Sequence, residues 1–473
     1  MTTFIICIAI LIGGFFLYGK FIERVFGADK SKTTPAISMR DDIDYMPMPV
    51  WKVYLIQFLN IAGLGPIFGA VLGAAYGPVA FIWITIGCVF AGAVHDYFSG
   101  MISIRNHGFS ITEIVGMYLG RNIKTITIIL TMILMVMVGA VFVTGPAKLL
   151  ENLTTGGISM NTWMIIIVLY YLIATLLPID KIIGKIYPVF GFALLFMAVG
   201  IGFMIVKNGL HIPDLTIENL RNFHSNPEKF RVFPMMFITI ACGAISGFHS
   251  TQSPMMARCL VNEKLGHKVF YGAMITEGIV AMIWAAAAMG FYNGPDNLNS
   301  VLASHNFNAA VLVDDMAHSM LGKVGGILAI IGVIAAPIST GDTALRSARL
   351  IAADFLKIRQ IKPASRLKTS IPIFLLTILL TQVRFDIIWR YFSWANQTLA
   401  MIILWTITVY LHQNRKPMWI TLIPALFMTM TTMTYIFFSQ EGFGLQYHYA
   451  LGIGAGITMV FCALFYVFKV RKS

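Results

Sequence analysis

The feature that most constrains this chain is the recurrence of apolar runs long enough to cross a lipid bilayer. A helix needs about 20 such residues to span the hydrocarbon core. Runs of this kind fall near 3–18, 51–75, 78–100, 123–144, 161–177, 186–206, 232–250, 268–292, 323–342, 366–382, 387–411, 418–438 and 448–468. The expected fold is therefore an all-α polytopic membrane protein of about thirteen transmembrane helices, with the lipid bilayer as its solvent. The net charge of +13 raises the question of nucleic acid. That reading needs Lys and Arg clustered on a soluble module, whereas here they are scattered between the apolar runs. The first run has no Lys or Arg before Lys20 and no small-residue cleavage site, so it reads as a retained anchor.

Lys and Arg favour the cytoplasmic loops of a membrane protein. With an external N-terminus and thirteen crossings, the inner loops and tail hold 26 of the 34 Lys and Arg and the outer loops hold eight. A miscounted helix would scramble that alternation from the error onward. The expected orientation is an external N-terminus and a cytoplasmic C-terminus in the inner membrane of a bacterium, with 207–231 as the outer loop that fits least well.

Two runs are interrupted. Residues 60–69 read Asn-Ile-Ala-Gly-Leu-Gly-Pro-Ile-Phe-Gly, and residues 242–254 read Cys-Gly-Ala-Ile-Ser-Gly-Phe-His-Ser-Thr-Gln-Ser-Pro. Backbone groups freed at membrane depth survive only where protein or water satisfies them, and breaks in matching places of two halves point to a transporter site. Counting from each break gives a first five-helix repeat, 51–206, and a second, 232–411. The odd helix number inverts the second relative to the first. Residues 1–50 then form an anchor helix and cytoplasmic loop, and 412–473 two further helices.

Chemistry is expected at these breaks. Gly65 and Pro66 suit the cap and first position of a half-helix, and Ser253-Pro254 repeats the pattern. Such N-termini carry partial positive charge and can receive a carboxylate. Asn60, Gly63, Gly65, Pro66, Gly243, Gly247, His249, Ser250, Gln252 and Ser253 are the candidate substrate-binding residues. His95 and Asp96 lie on a small-residue face of the third run and are candidates for proton coupling; a structural His–Asp pair is the plainer alternative. Lys148 and Asp342, each following a Gly/Pro stretch, complete the coupling candidates, although Lys148 also fits an interfacial lysine and Asp342 a pair with Arg346 one turn on. The five cysteines show neither a C-x-x-C pair nor a zinc-like His spacing, so neither a metal nor another cofactor is expected. Phosphate-loop, nucleophile-elbow and His-Glu-x-x-His motifs are absent, which argues against an enzyme.

The residues Pro49-Val50-Trp51-Lys52, Gln57 to Gly63, Gly92-Ala93-Val94-His95-Asp96-Tyr97 and Ala241 to His249 resemble the carbon starvation protein A family. The resemblance runs, less evenly, to about Phe355. It implies a LeuT-like secondary transporter that imports peptides or pyruvate, with protons as the coupling ion. Thr251 to Arg258 departs from the Ser/Gly/Thr-rich run of the longer members, which leaves peptide and pyruvate both open. Two other readings stay open at this point: a sodium-coupled carrier of the same fold, and a membrane sensor that binds a metabolite without moving it.

Overall fold

The computed structural model describes residues 1–473 except 155–156, 178–182, 361 and 468–473, and the side chains of 152, 183–186, 323–325, 327–331 and 385–386. The charges expected at Lys181 and in the C-terminal tail lie outside the described residues, as do the side chains of Lys185 and Lys323. The described residues are predominantly helical, and their single β-bridge joins Met48 to Leu260.

The principal helices are α1 (Thr2–Phe26), the broken α2 (α2a, Val50–Ala62; α2b, Gly65–Tyr76), α3 (Val79–Arg105), α4 (Arg121–Leu153), α5 (Met160–Leu176) and α6 (Ile183–Lys207). The broken α7 follows, with a short first piece (232–239) and α7b (His249–Ala257). The remainder are α8 (Glu263–Phe291), α9 (Ala309–Leu356), α10 (Pro363–Leu380), α11 (Phe385–Gln413), α12 (Trp419–Phe438) and α13 (Tyr447–Phe465). Among the described residues nine helices are long and apolar enough to cross a membrane, and α2 joins them if its two pieces, bent by 53°, count as one span. The two pieces of α7 are each short and α5 has 17 residues, while α9, which bends at Gly322 (φ +67°), includes residues outside the described set.

Apolarity alone does not separate inside from outside here, but burial does. On α6 the residues Phe192, Phe196, Val199, Phe203 and Val206 form an exposed stripe at spacings of three and four, while Leu194, Met197, Ala198, Ile201 and Ile205 are buried. An apolar stripe turned away from protein is the surface that lipid covers. In contrast, α3 is buried all round from Ala93 to Ile104, and α8 nearly so from Gly272 to Gly290. These two helices form the centre. α7b packs on α3, α6 on α2a, and the long α4 runs along α9.

The loops pair off at two ends. At one, Thr3 N donates to Asp214 Oδ1 and Leu215 N donates to Thr3 Oγ1 (2.7 and 2.9 Å), so the start of α1 and the 208–231 loop share a side. At the other, Met46 N and Met48 N donate to Arg258 O and Cys259 O, and Arg105 meets Glu263. There the segment entering α2a is clamped to the segment leaving α7b.

Candidate substrate and coupling site at the helix breaks

Each break frees backbone groups, and side chains from other helices take them up. α2a ends at Gly63 (φ +40°), where a Cβ would press on the Phe142 ring and Thr340. Thr340 Oγ1 of α9 donates to Leu59 O (3.1 Å). In α7 the helix stops at Thr239 and resumes at His249, with Gly243 at φ +90° between. Trp83 Nε1 donates to Ile240 O and Gln397 Nε2 to Phe237 O. Asn396 Oδ1 accepts from Phe248 N (2.7 Å) and Ser246 Oγ (3.1 Å). These bonds supply what broken backbone requires at membrane depth.

The breaks also touch each other. A Cβ on Gly65 would overlap the Cys242 side chain, and one on Gly243 would overlap Ala281 and approach Pro66. Gly247 lies flush against the α11 backbone at Asn396 and Ala400. The half-helix starts differ from the sequence expectation: α2b is capped by Leu64 rather than Gly65, and α7b starts at His249, ahead of Ser253-Pro254. Asn396 explains the second shift, because capping Phe248 N lets the helix begin there and leaves Pro254 inside it. Since Phe248 N is taken by Asn396, and Ser250 N and Thr251 N by backbone carbonyls, the α7b start has fewer donors for a carboxylate than a free N-terminus would.

Behind the breaks lies a chain of buried ionisable groups. His95 Nδ1 is 2.8 Å from Asp96 Oδ1, and His249 Nδ1 is 2.9 Å from Asp96 Oδ2. His249 Nε2 is 3.5 Å from Glu277 Oε2. All four side chains are fully buried. The remaining candidates surround them. Asn60 is buried with neither side-chain polar atom partnered, and Gln252 Oε1 is also without a partner. Ser253 Oγ accepts from Gln57 Nε2 and donates to His249 O, and Ser250 Oγ donates to Gly247 O. A cavity of about 490 Å³ opens beside α2b and α11, lined by Phe68, Tyr76, Thr239, Trp389 and Ser393 among others.

Two coupling candidates stand apart. Lys148 is half exposed and pairs with Glu151 at 2.7 Å, because the end of α4 lets its long side chain reach out of the bundle; it is not part of the chain of buried groups. Asp342 is buried, but its partner is the Tyr187 hydroxyl at 2.5 Å, not Arg346. Arg346 instead donates to Ala174 O and Leu177 O, and its Nη1 lies 3.7 Å from Asp44. Sequence reasoning missed Glu277, Asn396 and Gln57. Glu277 carried a readable signal, a lone carboxyl in an apolar run; Asn396 carried none, since its role depends on a break in another helix.

The family model described as "Carbon starvation protein CstA" matches residues 1–160, 151–320 and 304–435. A Haemophilus influenzae chain described as an uncharacterized membrane protein is 44% identical over 352 residues, 64% of this chain and 95% of its own. The Escherichia coli peptide transporter CstA is 25% identical over 553 residues, covering 88% and 78%. The Escherichia coli pyruvate/proton symporter BtsT is 27% identical over 327 residues, covering 56% and 45%. Among solved structures, an Eremococcus coleocola manganese transporter superposes with a TM-score of 0.57 at 12% identity, covering 92% and 99%. A Na+-coupled sialic acid symporter superposes with a TM-score of 0.55 at 14%, covering 95% and 96%. The helical architecture with its breaks at the centre is a LeuT-like membrane fold, and the named relatives mark the class as membrane transporters rather than enzymes. Within that class, the chain belongs to the carbon starvation protein CstA family.

Proposed function

We propose that this chain imports a small carboxylate-bearing nutrient, a short peptide or pyruvate, together with protons. The observation that carries the reading is the hydrogen-bonded chain His95–Asp96–His249 with Glu277 3.5 Å beyond it, fully buried behind two adjoining helix breaks. The hydrogen bonds give a proton a path from one group of the chain to the next. A carboxylate carried into a buried site costs desolvation, and a proton taken up by the same site offsets its charge. Asn60 and Gln252, with unpartnered buried atoms, are positioned to hydrogen-bond the substrate. The names of the peptide and pyruvate/proton transporters among its relatives support the same substrate classes.

In this reading the protein sits in the bacterial cytoplasmic membrane with its N-terminus outside. It crosses thirteen times, and residues 51–206 and 232–411 are inverted repeats. The anchor region 1–50 and the last two helices, 412–473, lie outside them. The test is uptake of labelled dipeptide and of labelled pyruvate into proteoliposomes. Accumulation should follow an inward proton gradient, collapse with an uncoupler and ignore sodium. Sodium-dependent uptake that survives the uncoupler would overturn proton coupling.

A further inference from the structure

Cys242 brings a third kind of ligand to the groups already described. Its thiol, on the unwound segment between the two pieces of α7, lies with His249 Nε2 and a Glu277 carboxylate oxygen so that all three atoms are within 4.8 Å of one another, and all three side chains are buried. His249 Nε2 and both Glu277 oxygens have no hydrogen-bond partner, while His249 Nδ1 is held by Asp96 at 2.9 Å. Buried, unpartnered polar atoms converging from different segments are costly unless something binds them.

We propose that Cys242 Sγ, His249 Nε2 and the Glu277 carboxylate form a site for a divalent transition metal of the zinc class. Metal bonds of about 2.0 Å to N and O at tetrahedral angles place those two atoms about 3.3 Å apart, and His249 Nε2 stands 3.5 Å from Glu277 Oε2. Cys242 Sγ, within 4.8 Å of both atoms, supplies the third ligand. A thiolate, a carboxylate and a neutral imidazole neutralise a divalent ion, so the buried charge is compensated. Thiolate and imidazole favour zinc or cobalt over magnesium or calcium. Asp96 occupies the outer position of a carboxylate–histidine–metal triad, fixing the tautomer that leaves Nε2 as the ligand. Three protein ligands leave a fourth position for solvent. The site rests on these ligand atoms; the likeness to manganese transporters is one of fold alone.

The inference goes beyond the transport reading, and its test needs neither substrate nor gradient. The full-length protein is purified in detergent, stripped with chelator and titrated with cobalt(II). The expected result is about one equivalent bound, with visible bands of tetrahedral cobalt and a near-ultraviolet thiolate-to-cobalt charge-transfer band, all displaced by zinc. Cys242→Ser should remove the charge-transfer band, while Cys88→Ser, at a neighbouring buried cysteine, should keep it. Asp96→Asn should weaken binding about 10- to 100-fold with the band retained. Each variant is compared with the wild type by thermal unfolding in chelator. If Cys242→Ser does not fold, X-ray absorption of the zinc-loaded wild type decides, with one sulfur in the coordination shell expected. A folded wild type that shows no thiolate band, a band that survives Cys242→Ser, or a zinc shell without sulfur overturns the site.

Discussion

Asp96 spends its two oxygens on two different histidines, one in its own helix and one across the bundle. An asparagine offers one acceptor and one donor, so Asp96→Asn must break or invert one of these bonds, at about 1–3 kcal/mol for a buried group left unpaired. If the chain carries protons, the variant loses uphill accumulation but keeps counterflow exchange, which needs no net proton movement. Paired uphill and counterflow assays on one proteoliposome preparation measure this, and unimpaired uphill uptake would remove Asp96 from coupling. A second prediction concerns His224 in the 208–231 loop. Burial against Tyr76, Phe230 and Phe307 pushes its imidazole down to about 4 from 6.5, and Nδ1 accepts from Asn226 N. The detached loop binds the proton first, so the packed loop is fully favoured above pH about 6.5 and loses stability as pH falls toward 4. Hydrogen exchange of the loop, corrected for intrinsic rate, should rise across that window, and His224→Gln should flatten the rise. At this scale the sequence showed His95, Asp96 and His249 because polar residues in apolar runs stand out. It could not show that Cys242 and Glu277 meet them, since that depends on how two helices pack.

The helix breaks are where glycine is required by space as well as by backbone angle. Gly65→Leu would drive bulk into Cys242, and Gly247→Leu into the Asn396–Ala400 backbone. Both variants should lose uptake, with membrane abundance measured alongside; normal transport by both would make the breaks mere packing features. The two differ in remedy. At Gly65 the closest obstacle is the Cys242 side chain, its Cβ included, so Gly65→Ala should be partly rescued by Cys242→Gly, whereas Gly247 meets the backbone of Asn396 and Ala400 before it meets Leu399 Cβ, and no side-chain change relieves it. Both breaks were legible from Gly and Pro in apolar runs. The start of α7b was not, because the residue that caps it, Asn396, comes from α11.

For the molecule as a whole, the proposed orientation with an external N-terminus puts the 208–231 loop outside, because that loop lies on the same side as the start of α1. A cysteine at Ser225, which is exposed, should react with an impermeant thiol reagent from outside once Cys462, the one native cysteine not buried, is replaced. Labelling only after permeabilisation would reverse the orientation. The membrane class was readable because lipid imposes span length on sequence, and the LeuT-like fold because of the family resemblance together with the paired breaks. The division of α7 into two short pieces was legible only as an interrupted apolar run, because where each piece begins depends on its neighbours.

The clamp of Met46 and Met48 onto Arg258 and Cys259 limits how such a molecule can move. The entrance to α2a and the exit of α7b are tied by backbone bonds that sliding would have to break. Relative movement of the two broken helices at that end would therefore cost the bonds of Met46 and Met48, whereas α9 meets the entrance segment there through the longer Arg346–Asp44 contact at 3.7 Å.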